Sequence, residues 1–242
     1  MKTYEEMTAL SATDKFRFLC SKKNACFNQC CTNVNQILTP YDILRLKKAL
    51  NLTSGEFLEK YCEQYDGPET GLPIVSLKPN YKSRLQCPFV SEEGCKVYKD
   101  RPSSCRLYPL ARLASRNRET GKITEHFALI KEEHCKGFEQ GKEYTPKEWI
   151  KNQEAEEYNK INDMLVEIIG IANTVSSASL NSDIKNKFRM ICYDLDTFGN
   201  DIFKNNPPDL KPNEDIADII KTDDAELLKF GLGWLKQLLL NV

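Results

Sequence analysis

Histidine is scarce in this chain of 242 residues, present only at His126 and His134. With no motif around a serine either, no nucleophile–base pair can be recognised. Neither GxGxxG nor a P-loop occurs, so the sequence gives no support to dinucleotide or nucleoside triphosphate binding. A surplus of either charge is also missing. The 34 Lys and Arg against 35 Asp and Glu leave a formal net charge of −1, so no electrostatic case exists for nucleic acid or an anionic membrane. No uninterrupted apolar run reaches about 18 residues, so a transmembrane helix is not expected. The opening MKTYEEMTALSATDKFRFLC lacks a basic start followed by an apolar stretch, so no secretory signal is visible and a cytoplasmic location is expected. Apolar and aromatic residues are still plentiful enough for a packed core.

What the chain does have is cysteine, ten in all, eight of them in one pattern. Cys20, Cys26, Cys30 and Cys31 come first, Cys87, Cys95 and Cys105 follow in a Pro-containing block, and Cys135 closes the set. Such a cluster is held by disulfides or by metal. A reducing cytosol disfavours disulfides, and a bridge between the neighbours Cys30 and Cys31 would be strained. Thiolate ligation is therefore the expectation, with disulfides the alternative if the chain is exported. Thiolates bind zinc or iron–sulfur clusters, usually four to a site. Eight therefore suggest two four-thiolate sites, or one site with spare thiols. Adjacent Cys30 and Cys31 suit two nearby centres, or two metals of one cluster, better than one ion. Zinc fingers use CxxC pairs, and this sequence has none, which tilts the reading toward iron–sulfur. The ferredoxin spacing is absent too, and Asn33 stands where a radical-SAM spacing would need a cysteine. Cys62 and Cys192 lie outside the pattern and read as buried structural thiols. Arg101 and Arg106 flank Cys105 as candidate sulfur hydrogen-bond donors, equally readable as turn residues. Tyr108 and Pro109 read as packing residues. His134 beside Cys135 is better explained as a surface residue than as a ligand, and His126 needs no function.

The coarse pattern predicts an α+β fold: an irregular, metal-stabilised cysteine-cluster domain with short hairpins and helices over 1–145, then a helical C-terminal region over 146–242. Thr39-Pro40 and Thr145-Pro146 are helix starts, and Thr53 with Glu56 forms a capping box. Hairpins are expected over 73–86, turning near Pro79-Asn80, and around a turn at Glu119 to Gly121. KEWIKNQEAEEYNKINDMLVEIIG, NSDIKNKFRMICYDLDTF and DDAELLKFGLGWLKQLLL read as helices, with a loop over NNPPDLKPNED.

The FLC…C…CC run, the T-P-x-D-I-x-R-L helix, the block CPFV…C-x-VY…RPSSCR-x-YP and the late Cys135 together resemble the YkgJ-type cysteine-cluster family, also called CxxCxxCC, a zinc- or iron-chelating domain. The resemblance covers roughly residues 17–138. It implies metal ligation by Cys20, Cys26, Cys30, Cys31, Cys87, Cys95, Cys105 and Cys135. Cys20 departs from the pattern, because five residues rather than two separate it from Cys26. The leading expectation is a metal-binding protein holding an iron–sulfur cluster, in the [4Fe–4S] form, or zinc, for electron transfer or as accessory to a modification reaction. The rivals are a zinc-stabilised interaction module whose helices hold a protein partner, and a methyltransferase-like enzyme, the latter implied only by a similarity of flagellin lysine N-methylases to this family. Whether the chain is an enzyme stays open on sequence.

Overall fold

A computed structural model describes residues 6–117, 120–175, 180–205 and 210–241. In chain order it runs β1 (Glu6–Leu10), β2 (Phe16–Phe18), β3 (Ile37–Leu38), α1 (Pro40–Ala49), α2 (Ser54–Tyr61), β4 (Cys62–Asp66) and β5 (Pro73–Leu77). It continues with β6 (Val90–Ser91), β7 (Gly94–Cys95), α3 (Ser103–Leu107), β8 (Leu110–Arg116), β9 (Ile123–Lys131) and β10 (Lys142–Tyr144). The rest is helical: α4 (Pro146–Asn152), α5 (Glu156–Ala172), α6 (Ser182–Tyr193), α7 (Leu195–Asn200), α8 (Glu214–Thr222) and α9 (Asp224–Leu240). The fold is α+β with a helical C-terminal part, as expected.

The chain forms two compact units that interleave along the sequence. Residues 1–35 and 79–159 make a cysteine unit, and 36–78 join 160–242 in a helical unit. The division expected at residue 145 does not coincide with these units. Its cause is local: capped, amphipathic α1 and α2 need an apolar partner surface, and they find it among the late helices.

In the cysteine unit, β9 is the middle strand of an antiparallel sheet ordered β1-β9-β8, with Leu129 opposite both Thr8 and Leu110. The β8–β9 hairpin was expected, although Glu119 of its turn lies outside the described residues. β10 pairs with β2, and β6 with β7. Phe16, Phe18, Leu107, Leu110, Phe127, Leu129, Trp149, Ile150 and Ala155 form one core. Trp149 meets Phe16, Phe18 and Tyr144 edge to face at centroid distances of 5.7, 5.6 and 5.2 Å, and its Nε1–H donates to Leu107 O at 2.7 Å. The unit thus has a core of its own beside the cysteine loops.

In the helical unit, the starts of α1 and α2 follow the sequence rules: Thr39 and Thr53 each accept from the N3 amide while Asp42 and Glu56 bond back. The hairpin expected over 73–86 is not formed. β5 instead lies between β3 and β4, and only an isolated Asn80–Gln86 bridge marks the second half. Val75 and Leu77 are buried, so β5 is a central strand that needs a neighbour on each edge. α9 packs on α1, α6, α7 and α8. A Cβ at Gly231 would lie 2.6 Å from Ile191 Cγ2 and 2.8 Å from Phe198 Cε1, so only glycine allows this approach. Two expected helices are broken. The first splits at Glu154, whose φ is 52°, and the second at Asp194, where α6 ends and α7 starts. The loop expected over 205–215 overlaps α8 at Glu214, and its residues 206–209 lie outside the described ones.

Candidate metal centre

The first cysteine loop is wound by successive short turns. Amides of Asn24, Phe27, Gln29, Cys31 and Thr32 donate to the carbonyls of Ser21, Asn24, Cys26, Asn28 and Gln29. Asn28, in the left-handed region at φ 67°, sets up the 3-10 turn Gln29–Cys31. Asn28 Nδ2 donates to Ser91 O at 2.8 Å, and the Phe27 ring lies over Gly94, where a Cβ would sit 3.0 Å from Cζ. These contacts fasten the loop to the β6–β7 hairpin that carries Cys95. Lys22 and Glu93 add an exposed ion pair, which contributes little by itself.

The second loop joins the first through its backbone. Asn33 and Val34 amides donate to the carbonyls of Arg84 and Leu85 at 3.0 and 2.9 Å, and Cys87 donates to Cys31 O at 2.8 Å. Asn33, Arg84 and Leu85 all have positive φ. Such conformations cost about 1–2 kcal/mol for a residue like leucine, and they collect where a loop must present particular groups.

The third segment is Cys135. Leu19 N–H donates to Gly137 O at 2.9 Å, and Lys136 N–H donates to Cys26 Sγ at 3.2 Å. A Cβ at Gly137 would fall 2.4 Å from Phe18 Cε2, so this turn sits directly on the aromatic core. Cys105 is on α3 and exposed, as are Cys20 and Cys30, while Cys26, Cys31, Cys87, Cys95 and Cys135 are half-buried. The Cys30 and Cys31 sulfurs are 4.0 Å apart, and none of the ten cysteines is in a disulfide.

Two opposing effects act on these thiols. Burial first, then thiolates at Cys30, Cys26 and Cys135, push Cys20 up to about 11. Burial also raises Cys87, Cys95 and Cys135, and contact with Cys30 raises Cys31 most strongly. Against this, backbone N–H groups favour the thiolates: Phe89 and Val90 at Cys87, Val97 at Cys95, Gly137 at Cys135. Three of these donors stand two residues after the cysteine. Donors to sulfur favour its charged form, and a cation removes the mutual repulsion that opposes it. The donor set therefore fits a thiolate-bound metal. Among the described residues, no three Cys, His, Asp or Glu side chains already surround one point as placed. Closing on an ion requires sulfur movement, and rotating a cysteine χ1 between staggered wells swings Sγ by roughly 3 Å.

The two arginines are committed elsewhere. Arg106 is buried; its Nη1 donates to Gln153 O at 2.5 Å and its Nη2 to Lys99 O, while the guanidinium covers the Tyr158 ring at 4.7 Å. It ties α3 to the α4–α5 junction. Arg101 donates to Tyr98 O and Gln153 Oε1, both at 2.6 Å, and stacks on Tyr98 at 4.1 Å. Its charge still reaches Cys20, Cys95 and Cys105. His134 lies 3.7 Å from Glu132 and helps line a shallow hollow with Cys26, Gln29, Glu133 and Lys136. His126 is exposed on β9.

Cys62 and Cys192 are buried in the helical unit. Cys62 is the first residue of β4 rather than part of the second helix. Sequence reasoning took Tyr108 for a packing residue. Its hydroxyl is buried beside Cys135, whose thiol it pushes down against the larger upward effect of burial. A tyrosine three residues after a cysteine gives no signal for that role, because the two meet only when β8 and the 132–137 turn come together.

Clustered thiols backed by N–H donors are the donor set that zinc and iron take. A family model described as "CxxCxxCC: Putative zinc- or iron-chelating domain" matches residues 19–164. That is more than half of the chain, and the protein belongs to this family. No curated protein and no solved structure matches significantly.

Proposed function

We propose that this is a metal-binding protein whose clustered cysteines carry an iron–sulfur group used in electron transfer. The supporting observation is the pairing of an independent aromatic core with partly exposed thiols. A metal that merely replaced a missing core would sit where apolar packing fails. Here Trp149, Phe16, Phe18 and Phe127 already pack beside the loops. Cys20, Cys30 and Cys105 are exposed, which leaves the site within reach of a redox partner.

An iron–sulfur group bound here would supply one-electron chemistry. The chain's own part is to hold thiolates: backbone N–H groups and the Tyr108 hydroxyl stabilise sulfur charge, and Arg101 adds a positive charge nearby. Donors to sulfur and local charge tune the potential of such sites. Anaerobic purification with iron, zinc and acid-labile sulfide analysis tests the reading. A brown protein with iron and sulfide supports it. A colourless protein with zinc supports the rival, a zinc-stabilised interaction module, which the two-residue N–H···S turns serve equally well.

A further inference from the structure

The strand β1 is held on one side only. It is an edge of the sheet β1-β9-β8, and among the described residues no strand lies beyond it. The ladder shows which of its backbone groups point outward. Ile130 N–H donates to Pro109 O at 2.9 Å, so Ile130, Ala128 and His126 turn their backbone toward β8. By alternation Lys131, Leu129 and Phe127 turn theirs toward β1, opposite Glu6, Thr8 and Leu10. The N–H and C=O groups of Met7 and Ala9 therefore point away from the sheet, and neither residue has another backbone partner among the described residues. Consecutive strand residues face opposite ways, yet Met7, Thr8 and Ala9 are all exposed, Met7 by 59%. At these positions β1 has no layer on either face and no neighbour on its outer edge. Proline, lysine and a bulge, common guards of an open edge, are all absent from its continuous five-residue register. The outward face is uncharged as well. Met7 and Ala9 share it with Ile130, Ala128, Ala111 and Leu113, whereas Arg112 and Glu125 pair at 2.6 Å on the side that carries Phe127.

We propose that β1 pairs antiparallel with β1 of a second copy of this chain, joining two three-stranded sheets into one. An outward row of N–H and C=O groups takes an extended strand, and β1 is its own complement. In the register that pairs all five residues, a two-fold axis passes between Thr8 and the partner's Thr8. Met7 then stands opposite the partner's Ala9, and Ala9 opposite the partner's Met7. Each of these pairs exchanges two N–H···O bonds, made by the groups that point outward in the single chain. Facing threonines at the closer, non-hydrogen-bonded position are favourable. A two-fold brings the same surface from both copies, and because Met7, Thr8 and Ala9 are uncharged it opposes no like charges there. Five-residue strands bury less than the roughly 1,200 Å² of a standard interface, so the dimer dissociates on dilution.

The test uses the full chain purified without oxygen, with mass measured by light scattering after size exclusion over a range of concentrations. The wild type should show a monomer–dimer equilibrium. Thr8→Lys and Thr8→Glu each set like charges face to face at the axis, so each should be monomeric alone, while an equal mixture of the two should dimerise. Thr8 is exposed in the single chain and its backbone bonds to Leu129 are kept, and hydrogen exchange in β9 reports that these variants stay folded. Ala9→Pro removes only an outward N–H and should also give a monomer. Leu113→Lys, on the far strand, should leave the dimer intact. A wild type that stays monomeric at its highest soluble concentration overturns the proposal, as does a dimer that survives in both Thr8 variants, or Thr8 variants that stay apart when mixed. A dimer lost in Leu113→Lys overturns it too, since sheet faces rather than edges would then be what meet.

Discussion

The peptide N–H of Cys87 donates to the carbonyl of Cys31 at 2.8 Å, although all of α1, α2, β3, β4 and β5 lies between them in sequence. Two cysteine loops are thereby joined near the points where the chain leaves the cysteine unit and returns to it. The bond is made by backbone, so it does not depend on the thiol at either position.

Metal removal should loosen the chain in an interleaved pattern. Residues 20–35 and 79–106 carry seven of the eight clustered thiols and have mostly turn-type hydrogen bonds. After chelation, amide exchange should rise there and around Cys135. Residues 36–78 and the strands near Phe127 should keep their protection, because Cys135 is the one clustered thiol packed against the Phe127 core among the described residues and the rest of that packing is apolar. Hydrogen exchange with peptide mass spectrometry checks this, and unchanged protection in the cysteine loops would mean the metal is not structural.

The two buried thiols give a contrast. Burial pushes Cys62 up to about 12 and Cys192 well above its ordinary value, so neither is a ready thiolate. Cys62→Ala and Cys192→Ala should leave metal content unchanged and cost about 1 kcal/mol of stability each, as small buried groups do. Cys30→Ala or Cys105→Ala should lower metal content. Equal metal loss from both pairs would refute the distinction.

Tyr108→Phe should weaken metal retention by about tenfold, the scale seen when a group orienting a ligand is removed. The ring contact with Phe18, at a centroid distance of 5.7 Å, is kept, so thermal stability should change little. Competition against a chelator measures the retention. An unchanged affinity would make the hydroxyl a bystander.

Asp196 anchors the helical unit. Its carboxylate accepts from buried Lys47 at 2.8 and 2.9 Å and from the Ser54 amide and hydroxyl at 2.5 and 2.7 Å. Partial burial would raise its pKa, but these donors outweigh that and hold it below 3.8. A depressed carboxyl stabilises the fold above its unfolded value, and that contribution is lost as pH falls below 3.8. Asp196→Ala should cost about 2–3 kcal/mol, less than for a fully enclosed pair because the carboxylate is part-exposed. Asp196→Asn should flatten the acid limb of the stability curve. Urea unfolding followed by helical signal across acidic pH measures both.

Local signals were legible where one short stretch decides the outcome. Thr39-Pro40, Thr53 with Glu56 and Thr145-Pro146 each cap a helix as read, because a cap needs only its own next three residues. The β8–β9 hairpin was visible for the same reason. Pairings made across distance were not. β5 was read as half of a hairpin with the residues after it, yet it pairs with β3 and β4, and that choice is made by burial of Val75 and Leu77. The cysteine pattern singled out eight residues of the cysteine unit. It could not show that Arg106 turns inward to carbonyls, since flanking a ligand in sequence says nothing of direction.

The interleaving of the units bears on how the protein is made. Every thiol of the cluster has left the ribosome once Cys135 has; the core strands β8 and β9 have preceded it, and Trp149 follows soon after. The helical unit is still missing its larger part at that moment, since residues 36–78 must wait for 160–242. Metal capture can thus precede completion of the helical unit on the nascent chain. During that interval the apolar faces of α1 and α2, with Ile43, Leu46 and Phe57, are the surfaces in need of a chaperone.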